Sequence, residues 1–268
     1  MSSNQPIGIF DSGIGGLTVA NAIHKILPNE QLIYFGDTAH LPYGDKSPEA
    51  IRSYSLKIGR FLLDQNCKLI VIACNTASSH AYTKLVEAFA DKVHIVNVID
   101  PVVDFLADNK AFQKIGVIGT KSTINSGVYT NKLKIAAPAK EVSALATPLL
   151  APMIEEGFYN NNISHTVIRS YLSSPELYSI DTLVLACTHY PLIQKEIDEY
   201  FNGKVTIINT AKIVAEHIKN TLVKLDLLNG GIPADHQFFV SDFTSSFENS
   251  TRLFFGEQIH LKLKNIWE

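Results

Sequence analysis

The sequence predicts an α/β protein of two similar lobes, each built on a mostly parallel sheet. Apolar, β-branched stretches of strand length alternate with segments of helical periodicity, which is the pattern of parallel-sheet proteins. One pattern also occurs twice: a buried strand at residues 69–73 runs into Cys74, and another at residues 182–186 runs into Cys187. Because ligand sites in such sheets lie at the carboxyl ends of strands, both thiols are candidate site residues.

Composition narrows the class of protein. The chain has 268 residues, 46% of them hydrophobic, and a net charge of −3. This charge gives no electrostatic support for a nucleic-acid or membrane partner, and no apolar run approaches the roughly 18 residues that span a bilayer. The polar N-terminus lacks the pattern of a signal peptide, so we expect a cytoplasmic protein with a small-molecule ligand.

The cysteines indicate chemistry rather than metal binding. In a reducing compartment the three of them are expected to be thiols, and no Cys-x-x-Cys pair suggests zinc. Cys67 is interpreted as a packing residue, since cysteine is often buried. Cys74 and Cys187 differ, because polar residues follow each of them at an expected helix start.

The first strand is predicted at residues 7–10 and leads into a glycine-rich turn, residues 11–16, before a helix at residues 17–27. This turn is not a dinucleotide fingerprint, because Thr18 stands where the last glycine would be. Asp11 stands where a helix cap or a catalytic carboxylate is placed.

The next elements bring further polar residues to the same edge. A strand at residues 32–35 precedes a loop at 41–44, and Ser47 with Pro48 begins a helix that ends near residue 65. The helix at residues 75–89 places Cys74 at its N-terminus, which lowers a thiol pKa and offers amide donors to a carboxylate. A strand at residues 94–99 completes this part, and a helix begins at residue 100.

A weak internal repeat follows. Residues 114–120 resemble residues 6–12, and aligning Gly119 with Asp11 leaves 68 residues to Cys187 against 63 to Cys74. We therefore predict two lobes related by an approximate twofold, with the active site in the cleft between them. Residues 1–99 and 209–268 form the first lobe, and residues 100–208 form the second. Within these, we expect helices at 191–201 and 211–225 and a strand at 205–208.

Two thiols facing one pocket favour proton transfer. A cysteine nucleophile would leave the second thiol unexplained, and a disulfide switch would need an electron-carrying partner. Removal of a proton from one face of a carbon and its return to the opposite face uses both thiols. His189 is a candidate acid/base partner of Cys187. Glu155 ends an apolar stretch and faces either a pocket or solvent. This interpretation is a racemase or epimerase without metal or cofactor.

Four motifs resemble glutamate racemase, in the same order along the chain. They are Gly-Ile-Phe-Asp-Ser-Gly-Ile-Gly-Gly-Leu at residues 8–17, Pro-Tyr-Gly at 42–44, Ala-Cys-Asn-Thr-Ala-Ser at 73–78, and Ala-Cys-Thr-His-Tyr-Pro-Leu at 186–192. The resemblance implies two α/β lobes and cofactor-independent interconversion of L- and D-glutamate. It also implies a supply of D-glutamate for peptidoglycan in the cell wall, and a possible homodimer.

The resemblance also implies residue roles. Cys74 would be the base for D-glutamate and Cys187 the base for L-glutamate, assisted by Asp11 and His189 respectively. The residues that would bind substrate are Asp11, Ser12, Tyr43, Gly44, Asn75, Thr76, Thr188 and His189, with Thr120, Thr123 and Glu155 at less distinctive positions.

Two alternatives stay open at this point. An aspartate racemase, or another amino-acid racemase of the same superfamily, would carry the same two thiols, and parallel assays on aspartate and glutamate separate them. A non-catalytic amino-acid-binding protein is the alternative of another class. It has no need of a paired acid and base such as Cys74 and Cys187.

Overall fold

The computed structural model describes residues 1–267, which form two compact units, each with its own sheet. The first unit comprises Met1–Val98 and the chain from Ala211 onward, and the second comprises Ile99–Thr210. The chain thus leaves the first unit once and returns to it.

Strands and helices alternate along most of the described chain. The strands are β1 (Ile7–Asp11), β2 (Leu32–Gly36), β3 (Leu69–Ile72), β4 (His94–Asn97), β5 (Lys114–Gly119), β6 (Glu141–Ala146), β7 (Thr182–Ala186), β8 (Thr206–Ile208), β9 (Gln237–Val240) and β10 (Lys262–Leu263). The α-helices are α1 (Leu17–Ile26), α2 (Pro48–Asp64), α3 (Asn75–Phe89), α4 (Asp100–Asp108), α5 (Lys121–Asn125), α6 (Val128–Ala136), α7 (Leu150–Glu155), α8 (Asn162–Leu172), α9 (Gln194–Phe201), α10 (Thr210–Lys224) and α11 (Ser245–Phe255). Short 3-10 helices lie at Tyr43–Asp45, Pro175–Leu177 and Tyr190–Ile193.

Both sheets are parallel, and they share one strand order. The first unit has the order β10-β9-β2-β1-β3-β4, and the second has β6-β5-β7-β8. In each unit the strands that come first to fourth along the chain are therefore arranged second, first, third, fourth. Cys74 follows the third strand of one unit and Cys187 follows the third strand of the other. The internal repeat predicted from the sequence is present in this strand order.

The central strands are apolar throughout because both of their faces are covered. Every residue of β1, β2, β3 and β7 is buried, which explains their continuous rather than alternating hydrophobic pattern. Helices α2 and α3 pack closely against each other at Gly59, where an added Cβ would lie 2.7 Å from the Leu85 side chain. This core holds the strand ends of the first unit in place.

Local capping explains where two of the helices begin. Ser47 accepts a hydrogen bond from the backbone N–H of Ala50, and Pro48 occupies the first helical position of α2, as predicted. Asn161 and Ser164 form a reciprocal capping box at the start of α8.

Residues 191–201 are helical as predicted, but the expectation that Cys187 stands at the helix start is wrong. A 3-10 helix, Tyr190–Ile193, precedes α9, so Cys187 lies three residues before any helical turn. Pro191 sets this start, because a proline is accommodated in a first turn where no N–H is needed. Strand β4 also ends at Asn97, two residues earlier than predicted.

The C-terminal part returns to the first sheet. Strand β9 pairs with β2, and β10 pairs with β9. Helix α11 contacts α1. Among the helices of the described residues, none has the length and apolar character needed to cross a membrane.

Candidate active site

In the first unit, Asp11 and Cys74 come to the same edge because β1 and β3 are neighbours with Phe10 opposite Ile72. Asp11 ends β1 and is fully buried. Its Oδ2 accepts hydrogen bonds from the N–H groups of Gly13 at 3.2 Å and Gly16 at 3.0 Å. The carboxylate therefore organises the glycine-rich turn that precedes α1.

Gly16 is required by this close approach. A Cβ on Gly16 would lie 2.5 Å from the Cβ of Asp11, which is closer than two side-chain carbons can approach. The glycine of the motif thus has a packing reason at this position, and the turn holds the Asp11 carboxylate against its backbone.

Cys74 is the N-cap of α3. Its Sγ accepts a hydrogen bond from the Ala77 N–H at 3.4 Å and lies 3.7 Å from Ser12 Oγ, to which the thiol donates. The positive end of the helix dipole and the amide donor both favour a thiolate here. Asn75 and Thr76, in the first turn of α3, are buried beside it.

Tyr34 is a member of this edge that was missed by the sequence prediction. Its hydroxyl donates to the Gly13 carbonyl at 2.8 Å. Burial, followed by the negative charges of Asp11 and Cys74, raises the Tyr34 pKa well above its ordinary value. A tyrosine inside a buried strand carries no sequence signal of a site, because its aromatic ring alone explains its burial.

Tyr43 and Gly44 lie in the 3-10 helix Tyr43–Asp45, after the cis Leu41–Pro42 bond. The buried Tyr43 hydroxyl donates to Asp37 Oδ2 at 2.7 Å, so it is directed at Asp37. Burial raises the Tyr43 pKa well above its ordinary value, helped by the charge and hydrogen bond of Asp37 and by the charges of Cys74 and Asp11. Asp37 was not among the predicted site residues.

In the second unit, three side chains form a line from the end of β7. The Cys187 Sγ lies 3.7 Å from His189 Nδ1, and His189 Nε2 lies 2.9 Å from Glu155 Oε1. Cys187 and His189 are buried, whereas the Glu155 side chain, at the end of α7, is 36% exposed. Glu155 therefore contacts His189 and is also accessible to solvent.

The electrostatics of this line favour an imidazolium. Burial alone lowers the pKa of His189, but hydrogen bonds to Cys187 and Glu155 and the charges of these two groups outweigh it. Together they raise the His189 pKa from 6.5 to about 10. At neutral pH a protonated His189 therefore lies beside the thiol, where it can stabilise a thiolate and carry a proton.

Thr120 and Thr123 lie at the same edge of the second sheet. Gly119 is opposite Ala186, so Thr120 and Cys187 follow adjacent strand ends. Thr120 caps α5: its Oγ1 accepts from the Thr123 N–H at 3.2 Å and donates to Thr123 Oγ1 at 3.0 Å. Thr188 is buried between Cys187 and His189 in the chain.

Tyr190 and Thr147 are further members that sequence reasoning missed. Their hydroxyls are 2.8 Å apart, and the Tyr190 hydroxyl also donates to the Thr147 carbonyl at 3.1 Å. Burial and the charge of Cys187 raise the Tyr190 pKa well above its ordinary value. Tyr190 lies within the fourth motif, but its partner Thr147 follows β6 and has no motif of its own.

Each unit thus presents a thiol with polar and acidic neighbours at the carboxyl edge of a parallel sheet. Residues 16–218 match the family described as Asp/Glu/Hydantoin racemase. A protein of Geobacter metallireducens named glutamate racemase is 42% identical over 259 residues, covering 95% of this chain and 94% of its own length. The chain belongs to the Asp/Glu/hydantoin racemase family.

Solved structures agree with this assignment. Glutamate racemase from Francisella tularensis, in complex with D-glutamate, is 35% identical with a TM-score of 0.93 and covers 99% of each chain. Glutamate racemase from Thermus thermophilus, in complex with β-chloro-D-alanine, is 34% identical with a TM-score of 0.88, covering 99% of this chain and 98% of its own. The predicted α/β fold with two parallel sheets and the resemblance to glutamate racemase are confirmed, and the chain is an amino-acid racemase by family.

Proposed function

We propose that this protein is a glutamate racemase that interconverts L- and D-glutamate by proton transfer between two cysteines. One observation carries the proposal: the third strand of each sheet delivers a thiol, and each thiol has polar partners suited to holding or moving a proton. The 42% identical relative and the solved structures, all named glutamate racemases, support glutamate as substrate.

In this mechanism each thiol acts on one enantiomer. The Cys74 thiolate removes the α-proton of D-glutamate, and the Cys187 thiol gives a proton to the opposite face, forming L-glutamate. The reverse reaction exchanges the two roles. Chemistry requires that both thiols reach the same α-carbon from opposite faces. We propose the predicted lobes, residues 1–99 with 209–268 and residues 100–208, as the domains that carry one thiol each.

The neighbours of each thiol have distinct tasks. His189, held as an imidazolium by Cys187 and Glu155, stabilises the Cys187 thiolate and resupplies its proton. On the other side, Asp11 assists Cys74 by ordering the glycine turn, and Ser12 contacts the thiol. No metal or organic cofactor enters any of these steps.

The remaining polar residues bind the substrate. Deprotonation beside a carboxylate builds negative charge, which donors aimed at that carboxylate stabilise. The proposed donors and acceptors are Ser12, Tyr43, Gly44, Asn75 and Thr76 in the first unit and Thr120, Thr123, Thr188 and Glu155 in the second. We assign substrate contacts of Tyr43 and Gly44 to the backbone, because the Tyr43 hydroxyl donates to Asp37.

In the cell, we propose that the enzyme works in the cytoplasm and supplies D-glutamate for peptidoglycan. A homodimer is the proposed assembly. Size-exclusion chromatography with light scattering measures this assembly directly, since a dimer doubles the 29.6 kDa mass of the chain.

The test is circular dichroism of the purified protein with L-glutamate and, separately, D-glutamate in D₂O, followed by proton NMR. We expect the optical activity to be lost whether the reaction starts from L-glutamate or from D-glutamate. Deuterium should appear at the α-carbon without added cofactor. Parallel reactions with aspartate decide the substrate. Binding of glutamate without racemisation or α-deuterium would refute the proposal and leave a binding protein.

A half-reaction tests the assignment of each thiol. A glutamate with chlorine on its β-carbon loses its α-proton to one thiolate while the C–Cl bond breaks and chloride leaves. The resulting enamine hydrolyses to a 2-oxo acid and ammonia, and the second thiol is not needed. Cys187→Ser should therefore process only the D-configured analogue and Cys74→Ser only the L-configured one. The opposite pattern would reverse the assignment.

A further inference from the structure

The Asp37 carboxylate is a buried junction that the proposed mechanism does not use. It follows β2 and is fully buried. Its oxygens accept hydrogen bonds from Tyr43 Oη at 2.7 Å and Ser241 Oγ at 2.7 Å, and they lie 2.9 and 3.0 Å from His40 Nδ1. A buried carboxylate is tolerated only with such partners, so Asp37 constrains all three.

His40 is held on its other sides by aromatic rings. Its Nδ1 carries the proton, because a carboxylate only accepts. The ring stacks on Tyr54 of α2, with centroids 4.0 Å apart and planes at 19°. The edge contact with Trp267 has a centroid distance of 4.4 Å and an angle of 84°. The imidazole is therefore clamped between α2 and the C-terminal tail.

Trp267 is itself attached to α2. Its carbonyl accepts a hydrogen bond from Lys57 Nζ at 3.0 Å, and the Lys57 ammonium lies 5.7 Å from the centroid of the indole ring. A continuous set of contacts thus runs from the tail through His40 and Asp37 to the Tyr43 hydroxyl.

We propose that Asp37 and His40 are positioning residues for the Tyr43–Gly44 segment, and that Trp267 of the C-terminal tail holds them in register. This inference rests on the proposed function, in which that segment contacts glutamate. The Tyr43 side chain anchors the segment through its hydrogen bond to Asp37, and the backbone of the segment remains available to contact substrate. Loosening any link is therefore expected to impair substrate binding more than the proton-transfer step.

The first test compares steady-state kinetics of Trp267→Ala, Trp267→Phe and His40→Gln. We expect KM for both glutamate enantiomers to rise about fivefold in Trp267→Ala, as for one lost hydrogen bond, with kcat changed less than twofold. Trp267→Phe should have a KM close to that of the wild type, because the phenyl ring keeps an aromatic edge against His40. His40→Gln should raise KM in the same way, since it keeps a donor but loses the stacked ring.

Ile266→Ala is the matched control. Ile266 belongs to the same tail and packs against the same core cluster as Trp267. Its loss should lower the thermal midpoint as Trp267→Ala does while leaving KM unchanged. A lower midpoint with unchanged KM in Trp267→Ala would show that the tail is only structural and overturn the inference. Failure of the wild-type protein to racemise glutamate would instead overturn the proposed function.

A second readout needs no turnover. The chain has one tryptophan, so its fluorescence reports on Trp267 alone. We expect Tyr43→Phe, which removes the hydrogen bond to Asp37, to change this emission in the absence of substrate. Unchanged emission in Tyr43→Phe would show that the Tyr43–Gly44 segment and Trp267 are not coupled through these contacts, against the inference.

Discussion

Replacement of His189 by asparagine is expected to slow proton transfer by Cys187, because the imidazolium that stabilises the Cys187 thiolate is lost. The rise of the His189 pKa from 6.5 to about 10 corresponds to about 5 kcal/mol of favourable interaction with Cys187 and Glu155, over and above the penalty of burial. Cys187 is one of the two groups responsible for this rise. We therefore expect His189→Asn to slow racemisation by roughly 30- to 150-fold, as for a loss of about 2–3 kcal/mol.

The assay measures initial rates from each enantiomer by circular dichroism across the alkaline range. A raised pKa keeps His189 protonated at neutral pH, so its support is present there and is lost as the pH rises through about 10. Wild-type activity should accordingly fall near that pH, and His189→Asn should lack this fall. Since the two enantiomers have equal free energy, kcat/KM must decrease equally in both directions.

The control is His165→Asn. His165 belongs to the same unit, is 55% exposed and lies 3.3 Å from Glu196 Oε1. Its replacement should leave rate and pH profile unchanged. A His189→Asn enzyme within twofold of the wild-type rate, with the same alkaline fall, would refute the reasoning.

Three further outcomes are expected. Cys74→Ser and Cys187→Ser should each lower racemisation by at least about a thousandfold with an unchanged far-ultraviolet spectrum, because one proton-transfer partner is lost while the buried volume is kept; near-normal turnover would exclude the two-thiol mechanism. Glu155→Gln removes one of the charges that raise the His189 pKa, so the alkaline fall in activity should move to lower pH in a pH–rate profile. The rate should decrease by less than about tenfold, because Glu155 is 36% exposed. Glu30 lies 2.6 Å from Lys68 Nζ and is 1% exposed, so Lys68→Met leaves it buried without its counter-ion and should destabilise the protein by about 3–5 kcal/mol in urea unfolding. The double variant with Glu30→Gln should recover part of this loss. Equal stability of the single variant and the wild type would contradict the expected role of the ion pair.

The features predicted from the sequence were those with local causes. The continuous apolar pattern of residues 69–72 follows from burial on both faces of a parallel sheet, and the break after it marks the end of the strand. Ser47 and Pro48 determine the start of α2 through backbone chemistry within four residues. The position of Cys74 before α3 follows from the same kind of signal.

The features that were missed depend on contacts between distant residues. Asp37 and Ser241 are 204 positions apart, yet their side chains meet at 2.7 Å because β9 pairs with β2. Thr147 and Tyr190 are 43 positions apart and meet because β6 and β7 flank β5. No pattern within either segment indicates its partner.

The sequence by itself determined where the strands end along the chain and which thiols follow them. It also determined the family to which the motifs belong. The tertiary structure decided how each thiol is surrounded. Burial lowers the His189 pKa, but the hydrogen bonds and charges of Cys187 and of Glu155, which comes from a separate helix and lies 2.9 Å away, raise it to about 10. Hydrogen bonding and burial depend on distances in space, and these are set by sheet pairing and helix packing rather than by neighbours in the chain.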